Sequence, residues 1–254
     1  LSTLAQILGK PSQAIASDLE QALNEGILVP LGTGYRFARQ KGSGGDAHYQ
    51  FVHDRVRQAA YGLIDAAARE RIHFEIARIW LDETSREEQD RFIFDIANQY
   101  NAGRRLLESA AQRAELLDIN LRAGRRARRA ADYATALNYF RSALDLRSPD
   151  GWRDSPEQNA ELLLLAAEVA FLCNDYAAME AWLDEHLAHV EPRLQQVAAH
   201  RIRLQAYVAQ NRLVEAVDIG LHALRLLGVT LPKAPGKLPV ALRLIETRLA
   251  IKRK

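Results

Sequence analysis

The chain has 254 residues, 48% hydrophobic and 26% charged, and its 34 Lys and Arg against 32 Asp and Glu leave a formal net charge of +2. These proportions are those of an ordinary folded, soluble chain, and they exclude both a mostly disordered polymer and a global basic field that would attract nucleic acid or an anionic membrane. No apolar run approaches the roughly 20 residues needed to cross a bilayer, no secretory signal is visible, and the single Cys173 excludes an intramolecular disulfide, as expected of a reducing cytoplasm.

The sequence begins at Leu1 without Met, its one Met is Met179, and it stops at Lys254 inside a helical pattern, ALRLIETRLAIKRK. A fragment of a longer chain is expected. Leu1 to Leu8 has a short helical pattern ended by Gly9-Lys10-Pro11. Ser12 then reads as the cap of a helix with Ile15, Leu19, Ala22 and Leu23 on one face, closed by Gly26. Ile27-Leu28-Val29 reads as a strand, Tyr35-Arg36-Phe37 as the start of a hairpin, Gly42-Ser43-Gly44-Gly45 as its tip, and Tyr49 to His53 as the returning strand. Helix, helix, strand, wing and strand spell a partial winged helix over residues 1–64.

Asp54 is expected to cap the next helix, in which Val56, Ala59, Ala60, Leu63 and Ile64 form a face packed on the sheet. A further helix carries Ile72, Ile76 and Ile79. Ser85-Arg86-Glu87-Glu88 spells a capping box for a helix with Ile93, Ile96, Ala97 and Tyr100, ended by Gly103. From Leu116 to Leu146 two amphipathic segments meet at Ala131-Asp132-Tyr133. Arg122, Arg125, Arg126 and Arg129 share one side of the first and are expected to face water, with Ala123, Ala127 and Ala130 opposite. Ser148-Pro149-Asp150-Gly151 breaks the pattern, Ser155-Pro156 opens another helix with Ser as cap and Pro in the first turn, and Glu191-Pro192 breaks the next pair. The second arms of three such hairpins start at Tyr133, Tyr176 and Leu213, 43 and then 37 residues apart, somewhat longer than the about 34 of a tetratricopeptide unit. The expected fold is therefore mainly α: the partial winged helix, a degenerate tetratricopeptide-like α-solenoid over 65–228, and a Pro-rich connector with a terminal helix over 229–254.

Reactive constellations are scarce. Gly9-Lys10, Gly236-Lys237 and Gly42 to Gly45 each lack part of a phosphate-binding loop. His53-Asp54 has the residue types of a histidine phosphoacceptor box, but it lies where a strand hands over to a helix, so His53 is expected to fill that corner. His186 and His189 sit one turn apart with Glu185, Glu191 and His200 nearby, yet nothing makes them converge on a metal. Cys173 reads as inert packing near a helix end. Arg36, Arg39 and Lys41 offer a few cations on the wing, while the helix before it carries Asp18, Glu20 and Glu25 and no Lys or Arg, which disfavours DNA. No catalytic, cofactor-binding or metal-ligating residue is therefore assigned.

The ordered set FVHDRVRQAAYGLI, RIHFEIARIWL, FDIANQYNAG, LDINLRAGRRARRAADYATALNYFRSALDL and LRLLGVTLP resembles the region after the ATPase module in bacterial multidomain signalling proteins of the STAND class. The nearest likeness is to large proteins that join a serine/threonine kinase-like domain, an AAA-type ATPase, a helical repeat region and often a sensor histidine kinase. The resemblance covers about Gly26 to Pro232. Its most specific pieces are His53-Asp54-Arg55-Val56 with Gln58-Ala59-Ala60-Tyr61, and Asn120-Leu121-Arg122-Ala123-Gly124. It implies a P-loop ATPase before Leu1, which would hold the ATP and Mg of the parent, a winged helix that regulates it, and repeats that relay a signal. The chain itself would be a cytoplasmic, non-catalytic segment without cofactor, binding a protein partner or the neighbouring ATPase domain and inserting in no membrane. The alternative is a transcriptional regulator whose winged helix binds DNA and whose repeats bind an effector.

Overall fold

The structure, a computed structural model, describes residues 1–32, 47–191 and 193–233 and the single positions Gly236 and Leu244. It is mainly helical, and it divides into two compact units, Leu1–Ala123 and Gly124–Lys254.

In the first unit α1 (Ser2–Leu8) ends at Gly9, whose left-handed backbone lets the Lys10 N–H reach back to the Ala5 carbonyl at 3.1 Å. The single helix expected from Ser12 is two pieces, α2 (Ser12–Asp18) and α3 (Glu20–Asn24), interrupted at Leu19. Ser12 is its first residue rather than its cap; that position belongs to Pro11, which has no hydroxyl to offer. Gly26, at φ 69, lets Ile27 N–H bond Ala22 O at 2.9 Å and turns the chain into β1 (Leu28–Leu31). This strand pairs antiparallel with β2 (His48–Phe51), Leu28 opposite Phe51 and Leu31 opposite His48. Ile15, Ala16 and Ala47 are buried together with Leu1, and Leu19 and Tyr49 pack on them. The expected hairpin start at Tyr35 to Phe37 and the glycine tip lie outside the described residues.

α4 (Asp54–Leu63) departs most from expectation. Asp54 opens the helix, and His53 occupies the cap position without a side-chain bond. Asp54 instead accepts from Arg57 at 2.9 Å. None of the five residues of the expected packing face is buried, and Leu63 is 89% exposed. α5 (Ala66–Glu83) is capped by Asp65, which accepts from the Ala67 and Ala68 amides. The capping box forms as spelled, Ser85 and Glu88 closing α6 (Arg86–Arg91). A break at Phe92 then separates α7 (Ile93–Ala102), in which Ile93, Ile96, Ala97 and Tyr100 are buried. Tyr100 meets Phe74 edge to face at 5.6 Å. Gly103, after α7, is pressed against α5 so tightly that a Cβ there would lie 2.7 Å from Phe74 Cβ and 2.8 Å from its backbone nitrogen.

α8 (Ala110–Arg129) carries the division between the units. The second unit continues with α9 (Tyr133–Asp145), a short α10 (Gly151–Asp154) at the expected break, α11 (Pro156–Leu172), α12 (Tyr176–His189), α13 (Arg193–Ala209) and α14 (Leu213–Leu226). Pro156 occupies the first turn of α11 as expected, but Ser155 makes no capping bond.

The hairpins α8–α9, α11–α12 and α13–α14 turn in one way. Ala131, Asn174 and Asn211 have φ of 59°, 61° and 59°. The next residue's amide bonds five back, Asp132 to Ala127, Asp175 to Ala170 and Arg212 to Tyr207, at 3.0, 2.8 and 2.8 Å. Asp132 and Asp175 then cap the second arm on the Thr135 and Ala178 amides. Arg212 has no acceptor to do so; it pairs with Glu215 and lies over the Tyr207 ring at 4.0 Å.

Candidate functional site

Of the four α8 arginines expected to face water, Arg129 is exposed, whereas Arg122 and Arg125 are drawn into ion pairs. The Arg122 side chain is only 9% exposed, its Nε donating to Asp90 at 2.8 Å. Arg125 pairs with Glu161, and Arg128 with Glu168, which Arg201 also approaches at 4.0 Å. A helical wheel gives the angle of a side chain but not what lies across from it, and here carboxylates on other helices of the same unit lie across. Farther along, Arg141 reaches Asp175 at 2.5 Å, Arg147 reaches Glu185 at 2.6 Å, and Arg203 reaches Glu180 at 2.7 Å and Asp184 at 2.5 Å. The surface of the hairpins is thus laced by ion pairs within the unit, and these charges are already matched.

The motif Asn120-Leu121-Arg122-Ala123-Gly124 is structural in the same sense. Asn120, fully buried, exchanges two amide hydrogen bonds with Asn101, at 2.7 and 3.0 Å. Leu121 and Ala123 are buried, and Gly124 makes room for the Phe140 ring, which would lie 2.4 Å from a Cβ. Tyr100 is buried beside Glu115 and Arg78; burial leads in pushing its phenol up to about 12, so it stays neutral. In the His53 motif, His53 is exposed and does not fill the strand-helix corner. Tyr61 is the member with a defined task. Its hydroxyl bonds His73 Nε2 at 2.7 Å, while His73 Nδ1 bonds Gln99 Oε1 at 2.5 Å. Since that amide oxygen only accepts, His73 Nδ1 is the donor to it.

The histidine group near α12 separates. His186 is buried and its Nδ1 meets the Ala160 carbonyl at 3.1 Å. His189 is exposed, stacks on Trp152 at 4.4 Å and bonds the Glu185 carbonyl. His200 is buried against the His222 ring at 4.8 Å. Glu185 is occupied by Arg147 and by Trp152 Nε1 at 3.3 Å; burial alone would raise its carboxyl, but those two partners outweigh burial and hold it below the usual value. Among the described residues no group of three His, Cys, Asp or Glu is placed to hold a metal. Burial raises the Cys173 thiol, which keeps it protonated and poorly nucleophilic. Lys10 is bound to Asp18 at 2.8 Å. Arg36, Arg39, Lys41 and the glycines at 42, 44 and 45 lie outside the described residues.

What remains for recognition is apolar. α11 buries nearly its whole length, whereas α14 buries only Ala216, leaving Val214 68% and Val217 51% exposed. Leu194 and Val208 of α13 are exposed as well. Such an uncovered face binds by shape and water release and carries no reactive group. It was missed in the sequence because α14 has the same spacing of apolar residues as the buried arms of the earlier hairpins.

Among the described residues no helix is long and apolar enough to cross a membrane. No family model and no solved structure matches the chain. A curated relative is the hybrid signal transduction histidine kinase G of Dictyostelium discoideum, 25% identical across 72% of this chain, which spans only 6% of that protein's length.

Proposed function

We propose that this chain is a non-catalytic regulatory and protein-interaction segment of a larger cytoplasmic signal-transduction protein, with a winged helix at its start and tetratricopeptide-like repeats after it. The observation that carries the reading is the turn repeated at Ala131, Asn174 and Asn211 with the same dihedral and the same hydrogen bonds, the mark of one hairpin unit used three times. Stacked units of this kind offer an extended surface while each contributes only part of a core. The name of the Dictyostelium protein supports a place in signalling, and the resemblance of the sequence to STAND proteins supports an ATPase module elsewhere in the parent, with its ATP and Mg.

In this reading the repeats bind a protein partner, and binding shifts the packing among hairpins, which biases the state of the upstream module. The winged helix serves as an interdomain contact rather than a DNA reader, since the helices before the wing carry Asp18, Glu20 and Glu25 and no cation. The test is deletion of everything after Gly103 in the full parent. Nucleotide turnover and signal response should both change; if both equal those of the intact protein, the reading is wrong.

A further inference from the structure

The seam of the last hairpin holds two histidines. His200 and Leu204 stand one turn apart on α13. Across from them on α14, the His222 ring lies 4.8 Å from that of His200 and nearly edge-on to it at 75°, and a Cβ at Gly220 would lie 3.1 Å from Leu204 Cδ1. His200 is 7% exposed, and its buried Nδ1 has no hydrogen-bond partner among the described residues, whereas His222 lies open to water. The one residue that α14 buries is Ala216. A polar ring enclosed without a partner, against an arm held by so little burial, is where a change of charge acts directly on packing.

The surroundings of His200 favour its neutral form. Burial leads, followed by His222 and Arg203, in holding the imidazole below its ordinary 6.5. The carboxylates that reach α13 from the helices packed on it are bound to arginines: Glu180 and Asp184 of α12 to Arg203, and Glu168 of α11 to Arg128, with Arg201 at 4.0 Å. α14 brings His222, Arg225, Glu215 held by Arg212, and Asp218 held by Lys233. None of these carboxylates is a partner of His200 Nδ1. A proton on His200 in the closed hairpin is therefore an enclosed charge beside a guanidinium and a second imidazole, and in the opened hairpin water solvates it. The open form binds the proton more tightly, so closure is complete above pH 6.5 and weakens as pH falls below it toward the lowered value.

We propose that His200 and His222 form an acid-sensitive latch in the last hairpin: uptake of a proton in the seam separates α14 from α13 while α11 stays packed. Opening uncovers Ala216 and the Leu204–Gly220 contact, so mild acid changes the apolar surface that this hairpin presents. The latch belongs to one hairpin of this chain and needs no upstream module, so it stands whether or not the regulatory reading does.

The test is amide hydrogen exchange read by mass spectrometry on the full chain at pH 7 and pH 5, with exchange times matched for the chemical rate at each pH. Peptides from 213–226 should open several-fold more at pH 5, and at most about 25-fold for a single ring that regains its ordinary 6.5 on opening, while peptides from 156–172 keep their protection. The rise in 213–226 should vanish in His200→Gln and shrink in His222→Gln. No rise with acid, an equal rise in 156–172, or an undiminished rise in either variant would overturn the proposal. Should His200→Gln lose its helical circular dichroism at pH 7, NMR titration of the His200 ring in the unaltered chain takes its place. The exchange rise then has to level off where that ring becomes charged, and a ring still neutral after the rise has levelled, or charged before it begins, overturns the proposal.

Discussion

Individual residues here are fixed mostly by what another helix puts against them. Gly124 is the sharpest instance. With the Phe140 ring 2.4 Å from where a Cβ would stand, Gly124→Ala gains about 1 kcal/mol of helix propensity but forces a fully buried ring to move, which costs about 1–3 kcal/mol. The expected net loss is up to about 2 kcal/mol by denaturant unfolding, and in a Phe140→Leu background the same substitution should become neutral or stabilising. A loss of equal size in both backgrounds would show that the ring is not the cause.

The buried histidines give the second residue-scale prediction. Burial lowers His186 from its ordinary 6.5, and at His200 burial is joined by the nearby His222 and Arg203. The folded chain therefore takes up these protons later than the unfolded chain. Their contribution to stability is whole above pH 6.5 and is lost as pH falls below it toward the lowered folded values. Melting temperature should decline between pH 7 and 5, and the double variant His186→Gln/His200→Gln should flatten that slope. Arg203, one of the groups that lower His200, is itself paired with Glu180 and Asp184 on α12.

At the scale of elements, the three hairpin turns show how much of a helix-turn-helix is set by one backbone conformation. Ala131 occupies the left-handed region with no side-chain bond to compensate, at a cost of about 1 kcal/mol relative to glycine. Ala131→Gly should raise stability by about 0.5 kcal/mol once the greater freedom of the unfolded glycine is deducted. Asn174 and Asn211 tolerate the conformation better, so the same change there should gain less, and a ranking with Ala131 last would contradict the account. The breaks at Leu19 and Phe92 belong to this scale too. Neither residue is a helix breaker, and neither break was legible, because the local sequence of each would support a continuous helix.

For the second unit as a whole, burial falls from α11 to α14. Seven apolar residues of α11 are buried and one of α14. Since the stability of a hairpin in a stack comes from its own fold plus its nearest neighbours, the last hairpin should open first. Amide hydrogen exchange should show lower protection in α14 than in α11 in native conditions. Equal protection in the two would mean that the unit opens only as a block.

The sequence by itself determined the periodic features: the mainly helical composition, the capping box at Ser85, the helix ends at Gly9 and Gly26, the two strands and the phase of the three hairpins. Each of these is written in residues within a turn or two of one another, so local pattern suffices. Only the tertiary structure decided what the patterns face. Arg122 and Arg125 have the spacing of a solvent stripe and meet Asp90 and Glu161 instead. The α4 apolar residues have the spacing of a packing face and are not buried, while Asn120, polar, is buried through its exchange of bonds with Asn101. Helical periodicity fixes direction around an axis, whereas burial and pairing depend on residues tens of positions away, and no local spacing carries that information.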